Sequence, residues 1–278
     1  MIEEINNLPS LQETVEKYNL SPKKSLGQNF LFDMNITNKI ARIAGNLEQG
    51  SVIEIGSGPG GLTRALLSNK ANLTCIEADE RAVKAISPLK KIAGEKLTVI
   101  NQDATDTNIT KIGSMPRQVV ANLPYNVGTL LLMKWLETPQ EFTKFTLMFQ
   151  KEVAQRITAQ TGDKNYGRLA ILCNLLCHTK IEMFLPASAF TPPPKVESAV
   201  VSLIVRDKPL YPVNIKTLTK ITKFAFGQRR KMIKASLKQL NVDVTKLLDI
   251  ANIDPKKRAE ELTISDFCNI SNVFDNNF

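Results

Sequence analysis

The sequence predicts an α/β protein in which a doubly wound, mainly parallel sheet is followed by a small helical domain. From residue 51 onward, short apolar or β-branched runs alternate with helix-like segments, as in a parallel sheet covered by helices. After residue 207 the strand pattern stops and helix-like segments follow. A chain of 278 residues can bury one large core and a small second one. We therefore predict an N-terminal domain over residues 1–206 and a C-terminal helical domain over residues 207–278.

Five parallel strands are predicted at residues 51–55, 73–77, 97–101, 118–121 and 145–149. Two later runs, 178–185 and 198–205, are separated by a proline-rich segment without a helical pattern. They predict an antiparallel hairpin at the edge of the sheet. C-terminal helices are predicted around residues 215–226, 229–240, 244–251 and 265–273.

The chain is basic, with 36 Lys and Arg against 27 Asp and Glu and a net charge of +9. Such a charge favours association with a polyanion, although a solvated basic surface would have the same composition. The N-terminus lacks an export signal, and no stretch approaches the roughly 18 apolar residues of a membrane span. We therefore expect a soluble, cytoplasmic protein without membrane association.

The four cysteines form no C-x-x-C pair. Cys173, Cys177 and His178 could lie on one helix, but they fall in an apolar run and no second ligand group accompanies them. The pattern predicts buried, reduced thiols and no bound metal.

Residues 52–63 read as a strand, a glycine turn and the start of a helix. Gly56, Gly58 and Gly61 let the backbone approach a ligand, and they also satisfy the dinucleotide fingerprint G-x-G-x-x-G. By themselves these glycines do not identify the ligand. Glu54, Pro59 and the additional Gly60 resemble the first motif of class I methyltransferases, a Rossmann-like fold, and favour S-adenosyl-L-methionine as the cofactor.

Acids also lie at or just after the ends of the next two strands. Glu77 follows the glycines by roughly twenty residues, where a carboxylate accepts hydrogen bonds from ribose hydroxyls. Asp103 lies just after the third strand, where methyltransferases place an acid near the adenine amino group of the cofactor. A lone aspartate at a strand end is usually a turn residue. Its place in a series of strand ends favours the binding role, because ligands collect at the carboxyl ends of parallel strands.

The fourth strand runs into Asn122, Leu123, Pro124 and Tyr125. Adenine N6 is a poor nucleophile, and fixed hydrogen-bond acceptors would stabilise the positive charge that develops on it during methyl transfer. The side-chain oxygen of Asn122 and the backbone carbonyl of Leu123 are the candidate acceptors. Pro124 would stiffen the turn, and Tyr125 would stack on the target base. The alternative is an ordinary surface turn.

Histidine occurs once, at position 178, which argues against chemistry that needs a histidine base. Methyl transfer to N6 does not need one, because water can take the acidic proton after nitrogen has attacked.

Together these motifs make the chain resemble the ribosomal RNA adenine dimethylases, in particular the bacterial small-subunit members that dimethylate two adjacent adenines. The resemblance covers nearly the full length and includes residues 23–31, 149–154, 190–198 and 226–231. It implies cofactor contacts from Asn29, Leu31, Gly56, Glu77, Asp103 and Asn122, and stacking of Phe190 on the target adenine opposite Tyr125. It also implies a monomer that modifies a hairpin near the 3′ end of 16S ribosomal RNA within a pre-30S particle.

Six basic residues and no acid lie between positions 223 and 238. In a helix over 229–240, Lys231, Lys234 and Lys238 would face outward together and suit phosphate contacts. A solvated helix face is the ordinary alternative. Further basic residues of the N-terminal domain that could meet RNA are Lys23, Lys24, Lys151, Arg156 and Lys195.

Three other functions compete with this interpretation. A large-subunit RNA adenine methylase would share the cofactor loop and a similar tetrapeptide, but residues 190–198 and 226–231 favour the small-subunit enzyme. A non-catalytic assembly factor would not need the intact Asn122–Tyr125 tetrapeptide. A nicotinamide oxidoreductase would leave that tetrapeptide unexplained.

Overall fold

The computed structural model describes residues 1–23, 27–228 and 230–278. Within them the chain forms two compact units, one of Met1–Ala154 with Lys180–Val205 and one of Gln155–Thr179 with Arg206–Phe278. The second unit thus includes a segment from the middle of the chain as well as its C-terminal part. The functional boundary predicted at residue 206 stays a prediction.

The strands are β1 Phe30–Leu31, β2 Ser51–Ile55, β3 Leu73–Glu77, β4 Leu97–Asn101, β5 Arg117–Asn122, β6 Lys144–Gln150, β7 Cys177–Leu185, β8 Phe190–Thr191 and β9 Ser198–Val205. Seven of them form one sheet in the order β4-β3-β2-β5-β6-β9-β7, and β1 pairs with β8 in a separate two-stranded sheet. The first five strands of that order pair in parallel, and β9 runs antiparallel to β6. The predicted strands and the edge position of the last two are confirmed.

The helices of the first unit are α1 Ile2–Asn6, α2 Leu11–Lys17, α3 Met34–Ala44, α4 Gly61–Ser68, α5 Glu80–Ala93 and α6 Gly128–Trp135. They cover the sheet, and every residue of the central strand β2 is buried. The apolar core includes Val52 of β2, Leu66 of α4, Leu73 of β3 and Val120 of β5. This burial explains why the parallel strands read as nearly continuous apolar runs.

The strand order places a topological switch point between β2 and β5. From β2 the chain moves outward through β3 to β4, and then returns to the other side of β2 to form β5. In open α/β sheets, the crevice for a ligand lies at the carboxyl ends of the strands beside such a reversal. A binding site is therefore expected where β2 and β5 end.

The remaining helices are α7 Lys151–Thr158, α8 Arg168–Leu176, α9 Ile215–Gly227, α10 Ile233–Ser236, α11 Val244–Ile250 and α12 Ile264–Asn277. In the second unit, the ring of Phe226 lies 6.1 Å from that of Tyr166 and 5.7 Å from that of Phe267, measured between centroids. Phe267 and Tyr166 are both buried, so aromatic packing holds the middle segment against the C-terminal helices of this unit.

The prediction of one helix over residues 229–240 is wrong. Met232 has extended backbone, and the helical turn α10 is followed by a 3₁₀ turn over Leu237–Leu240. The cause is a long-range pairing: Met232 forms a β-bridge with Arg258, and the Ile233 N–H donates to the Lys257 carbonyl at 2.7 Å. Arg229 and the sequence positions 24–26 of the quoted motifs lie outside the described residues.

All four cysteines are buried and unpaired, so the predicted burial of the thiols is confirmed. In the described part of the chain, no helix is long and apolar enough to cross a membrane. The same residues contain no group of three or more His, Cys, Asp or Glu side chains that could hold a metal ion. The absence of a metal from the reaction stays a prediction.

Candidate active site

One cavity opens at the switch point, where the carboxyl ends of β2, β3 and β5 meet. Nearly all of the predicted site residues line it, although they come from five separate stretches of sequence. The predicted residues on its wall are Asn29, Leu31, Gly56, Glu77, Asp103, Asn122, Leu123, Pro124 and Tyr125. The sheet topology thus brings the glycine turn, the strand-end acids and the tetrapeptide to one place.

The glycine turn presents bare backbone to the cavity. Gly56 has a φ of +74°, and a Cβ built on it would meet nothing within 4 Å. Gly58 has a φ of +51°, and its Cβ would lie 3.1 Å from the ring of Phe30. Side chains are therefore disfavoured at both positions by backbone conformation, and the open space beside Gly56 can admit a ligand.

Glu77 ties this turn to the end of β3. Its Oε2 accepts hydrogen bonds from the Gly58 N–H at 2.9 Å and the Ser57 hydroxyl at 3.4 Å, and its Oε1 accepts from the Asp79 N–H at 2.9 Å. Burial raises the pKa of the Glu77 carboxyl, while the two backbone donors oppose that rise. Each oxygen keeps acceptor capacity beyond these bonds, which a hydroxyl of a ligand could use.

Glu54 is a second buried acid on the cavity wall, and the sequence identified it only as part of a motif. The side chain is 0% exposed, and its Oε2 accepts from the Thr63 hydroxyl at 2.7 Å and the Cys75 thiol at 3.2 Å. Within the described residues, its Oε1 has no hydrogen-bond partner. Burial raises the pKa of Glu54 to about 7. A buried, unpaired carboxylate oxygen is costly, and a cationic or hydrogen-bonding ligand group would satisfy it.

Asp103 lies at the exposed rim of the cavity. Its Oδ1 accepts from the N–H of Thr105 at 2.8 Å and from the hydroxyl of the same residue at 2.7 Å. These bonds lower the pKa of Asp103, so the group is a carboxylate at neutral pH. It is therefore an acceptor, as its predicted role requires.

The side chain of Asn122 has a defined orientation. Its Nδ2 donates to the backbone carbonyl of Asn29 at 3.1 Å. A carbonyl can only accept, so the amide nitrogen must face Asn29 and the side-chain oxygen of Asn122 stays an acceptor. The bond also holds the segment of Asn29 against the end of β5.

The tetrapeptide continues directly into α6. The Pro124 carbonyl accepts from the N–H groups of Val127 at 3.1 Å and Gly128 at 3.0 Å, which starts the helix. Tyr125 is half-buried, and its hydroxyl oxygen lies 2.5 Å from that of Ser198, close enough for a hydrogen bond. Burial raises the pKa of the Tyr125 phenol. The tetrapeptide is therefore a fixed wall rather than a loose surface turn.

Phe190 is the one predicted site residue that the structure does not bring to the cavity wall. Its side chain is 2% exposed and belongs to the apolar core of the first unit. The pairing of β1 with β8 sets Phe190 opposite Leu31. Stacking of Phe190 on a target base stays a prediction, and it would require the ring to leave this core.

Comparisons with known proteins identify the family of the chain. The family model for ribosomal RNA adenine dimethylase matches residues 19–276. The chain is 49% identical over 276 residues to the ribosomal RNA small subunit methyltransferase A of Brucella anthropi, covering 97% of this chain and 98% of that protein.

Two solved structures share the fold. A dimethyladenosine transferase from Plasmodium falciparum matches with a TM-score of 0.76 and 29% identity, over 87% of this chain and 96% of that one. The 23S rRNA methyltransferase ErmE matches with a TM-score of 0.67 and 25% identity, over 89% and 100%. The predicted class I methyltransferase sheet with C-terminal helices is confirmed. Because the family model matches residues 19–276 of this chain, the chain belongs to the ribosomal RNA adenine dimethylase family.

Proposed function

We propose that the protein transfers methyl groups from S-adenosyl-L-methionine to N6 of two adjacent adenines in a hairpin near the 3′ end of 16S ribosomal RNA. It acts as a cytoplasmic monomer on a pre-30S particle and contributes to small-subunit biogenesis. The proposal rests mainly on the orientation of the Asn122 amide. Its nitrogen donates to the Asn29 carbonyl, so the Asn122 side-chain oxygen is left as an acceptor on the cavity wall. The small-subunit relatives support the choice of RNA.

The cavity residues fit the cofactor by their chemistry. Glu77 would accept from the ribose hydroxyls, and Asp103 from the adenine amino group. The unpartnered Oε1 of Glu54 suits the positively charged amino group of the methionine part. Asn29 and Leu31 line the same wall, and the space beside Gly56 admits the ligand against the backbone. When bound, S-adenosyl-L-methionine supplies a methyl group on a positively charged sulfur.

The residues at the end of β5 act on the target base. The side-chain oxygen of Asn122 and the carbonyl of Leu123 accept hydrogen bonds from the two N6 protons, which stabilises the positive charge that develops on nitrogen. Tyr125 stacks on the base, a contact worth about 1–3 kcal/mol. Water takes one N6 proton after nitrogen has attacked, which removes the positive charge from the product. His178 does not line the cavity, in keeping with a reaction that needs no histidine base.

The second unit supplies a basic surface for RNA phosphates. Lys231, Lys234 and Lys238 are all exposed, although they do not share one helix. The backbone pairing of Met232 with Arg258 brings a second basic run beside them. This run consists of the exposed residues Lys256, Lys257 and Arg258, which could not be predicted as neighbours because they are distant in the chain. Clustered cations of this kind suit phosphate contacts.

The test of the function is direct. Small-subunit ribosomal RNA that lacks the modification is incubated with the protein and S-adenosyl-L-methionine, both as free RNA and as assembled particles, and its nucleosides are analysed by mass spectrometry. We expect N6,N6-dimethyladenosine. Its absence from both substrates would favour a non-catalytic RNA-binding role.

Asn122→Ala should reduce methyl transfer by about 10²–10³-fold, because loss of one fixed group that stabilises transition-state charge costs that much. RNA affinity should change little, as measured by filter binding. Asn72→Ala is the control, since it also removes a side-chain amide that donates to a backbone carbonyl, that of Gly50 at 3.5 Å, but lies away from the cavity. A wild-type rate for Asn122→Ala would refute the proposed role.

Glu54 makes cofactor affinity depend on pH. Above its pKa of about 7 the carboxylate attracts the cationic amino group, and below it the neutral acid does not. Affinity for S-adenosylhomocysteine, measured by calorimetry, should therefore rise as pH increases through about 7. In Glu54→Gln that dependence should disappear. The same pH profile in both proteins would contradict this assignment.

Replacing Lys231, Lys234 and Lys238 together by Ala should weaken RNA binding and reduce its salt dependence. A plot of log binding constant against log salt concentration should become shallower by about 0.7 for each lost phosphate contact. The matched control replaces three exposed lysines of the first unit, Lys91, Lys96 and Lys111, and removes the same net charge. Equal salt slopes for the two triple variants would show that Lys231, Lys234 and Lys238 form an ordinary solvated surface and do not contact RNA phosphates.

A further inference from the structure

Two sequence motifs take no part in the cofactor loop or the tetrapeptide. They are residues 149–154 and 190–198. In the structure they are connected by strand pairing and hydrogen bonds. Gln150, at the end of β6, lies opposite Ser198, at the start of β9. The Lys151 N–H donates to the Glu197 carbonyl at 2.8 Å, and the Lys151 Nζ pairs with the Glu197 carboxylate at 2.7 Å. The start of β9 is thus held by backbone and side-chain bonds together.

Ser198 is the point at which this joined structure reaches the cavity. Its hydroxyl oxygen lies 2.5 Å from that of Tyr125, and the serine is 0% exposed. Tyr125 lies on the cavity wall, between Pro124 and the start of α6. The buried serine therefore bonds the far end of the ring that the proposed function sets against the target adenine.

We propose that Ser198 is a positioning residue, which fixes the ring of Tyr125 in the orientation that stacks on the target base. The inference rests on the proposed function. A tyrosine in a loop can rotate about two side-chain torsions, and a bond at its hydroxyl restrains both. The restraint is rigid because Ser198 belongs to a ladder in which residues 198–204 pair with residues 144–150.

The hydroxyl of Tyr125 is the point at which the ring is anchored to Ser198. Phenylalanine would offer a base the same aromatic face, whereas a half-buried hydroxyl costs free energy unless it is hydrogen-bonded. Tyrosine is therefore useful here because its hydroxyl can be anchored. The motif at 190–198 then contributes to the site through Ser198, and the Lys151–Glu197 pair supports that anchor.

A double-mutant cycle tests the proposal. Ser198→Ala and Tyr125→Phe each remove one partner, so each should lower the single-turnover rate of methyl transfer at saturating RNA by about three- to tenfold, the effect of one hydrogen bond. The double variant should be no slower than either single variant, because the same bond is lost in all three. Affinity for S-adenosylhomocysteine should stay within about twofold of wild type.

Ser202→Ala is the matched control. Ser202 lies on the same strand, is also buried, and donates to Glu182 Oε1 at 2.6 Å. Its loss should leave the rate unchanged. Additive effects of Ser198→Ala and Tyr125→Phe, a wild-type rate in Ser198→Ala, or an equal loss in Ser202→Ala would each overturn the positioning role. A wild-type protein that methylates no RNA would instead refute the proposed function itself.

Discussion

Two backbone N–H groups, those of Gly58 and Asp79, donate to opposite oxygens of the buried Glu77 carboxylate. A carboxylate away from water needs such donors, since an unpaired charge there would be strongly destabilising. The same bonds fix the glycine turn after β2 relative to the end of β3. The bare backbone at Gly56 and the start of α4 follow from that turn. The shape of the cavity therefore depends on the hydrogen bonds of Glu77.

Residues 27–31 complete the cavity wall from outside the main sheet. Arg81 donates to the carbonyl of Asn19 at 2.8 Å and pairs with Asp79, lowering the pKa of Asp79 to about 2. Asp79 also accepts from the side chain of Gln28, and Asn122 donates to Asn29. The segment is therefore fastened at the ends of two different strands, which places Asn29 and Leu31 on the wall. Hydrogen bonds to charged groups are the stronger kind, and they suit this fastening.

Much of the architecture could be predicted because its signals are local. The parallel strands are apolar runs between glycine and acidic turns, and the strand-end positions of Glu77, Asp103 and Asn122 follow from that pattern. Features that depend on distant residues could not be predicted. The helix expected over 229–240 is broken by bonds to residues 257–258, and Phe190 is buried because its strand pairs with that of Leu31. The bonding of Glu54 could not be predicted either, because Thr63 and Cys75, which donate to its Oε2 and leave Oε1 without a partner, come from other elements.

The small ribbon of β1 and β8 has a consequence for how the protein is made. Phe30 pairs with Thr191, so one strand of the ribbon leaves the ribosome long before the other. The glycine turn, both strand-end acids and the tetrapeptide all precede residue 191, and a growing chain can assemble them while β8 is still missing. Closing the ribbon across such a span is entropically costly and belongs late in folding. Chains interrupted before β8 would keep the bonds from Gln28 to Asp79 and from Asn122 to Asn29, but they would lack the strand that pairs with Phe30 and Leu31.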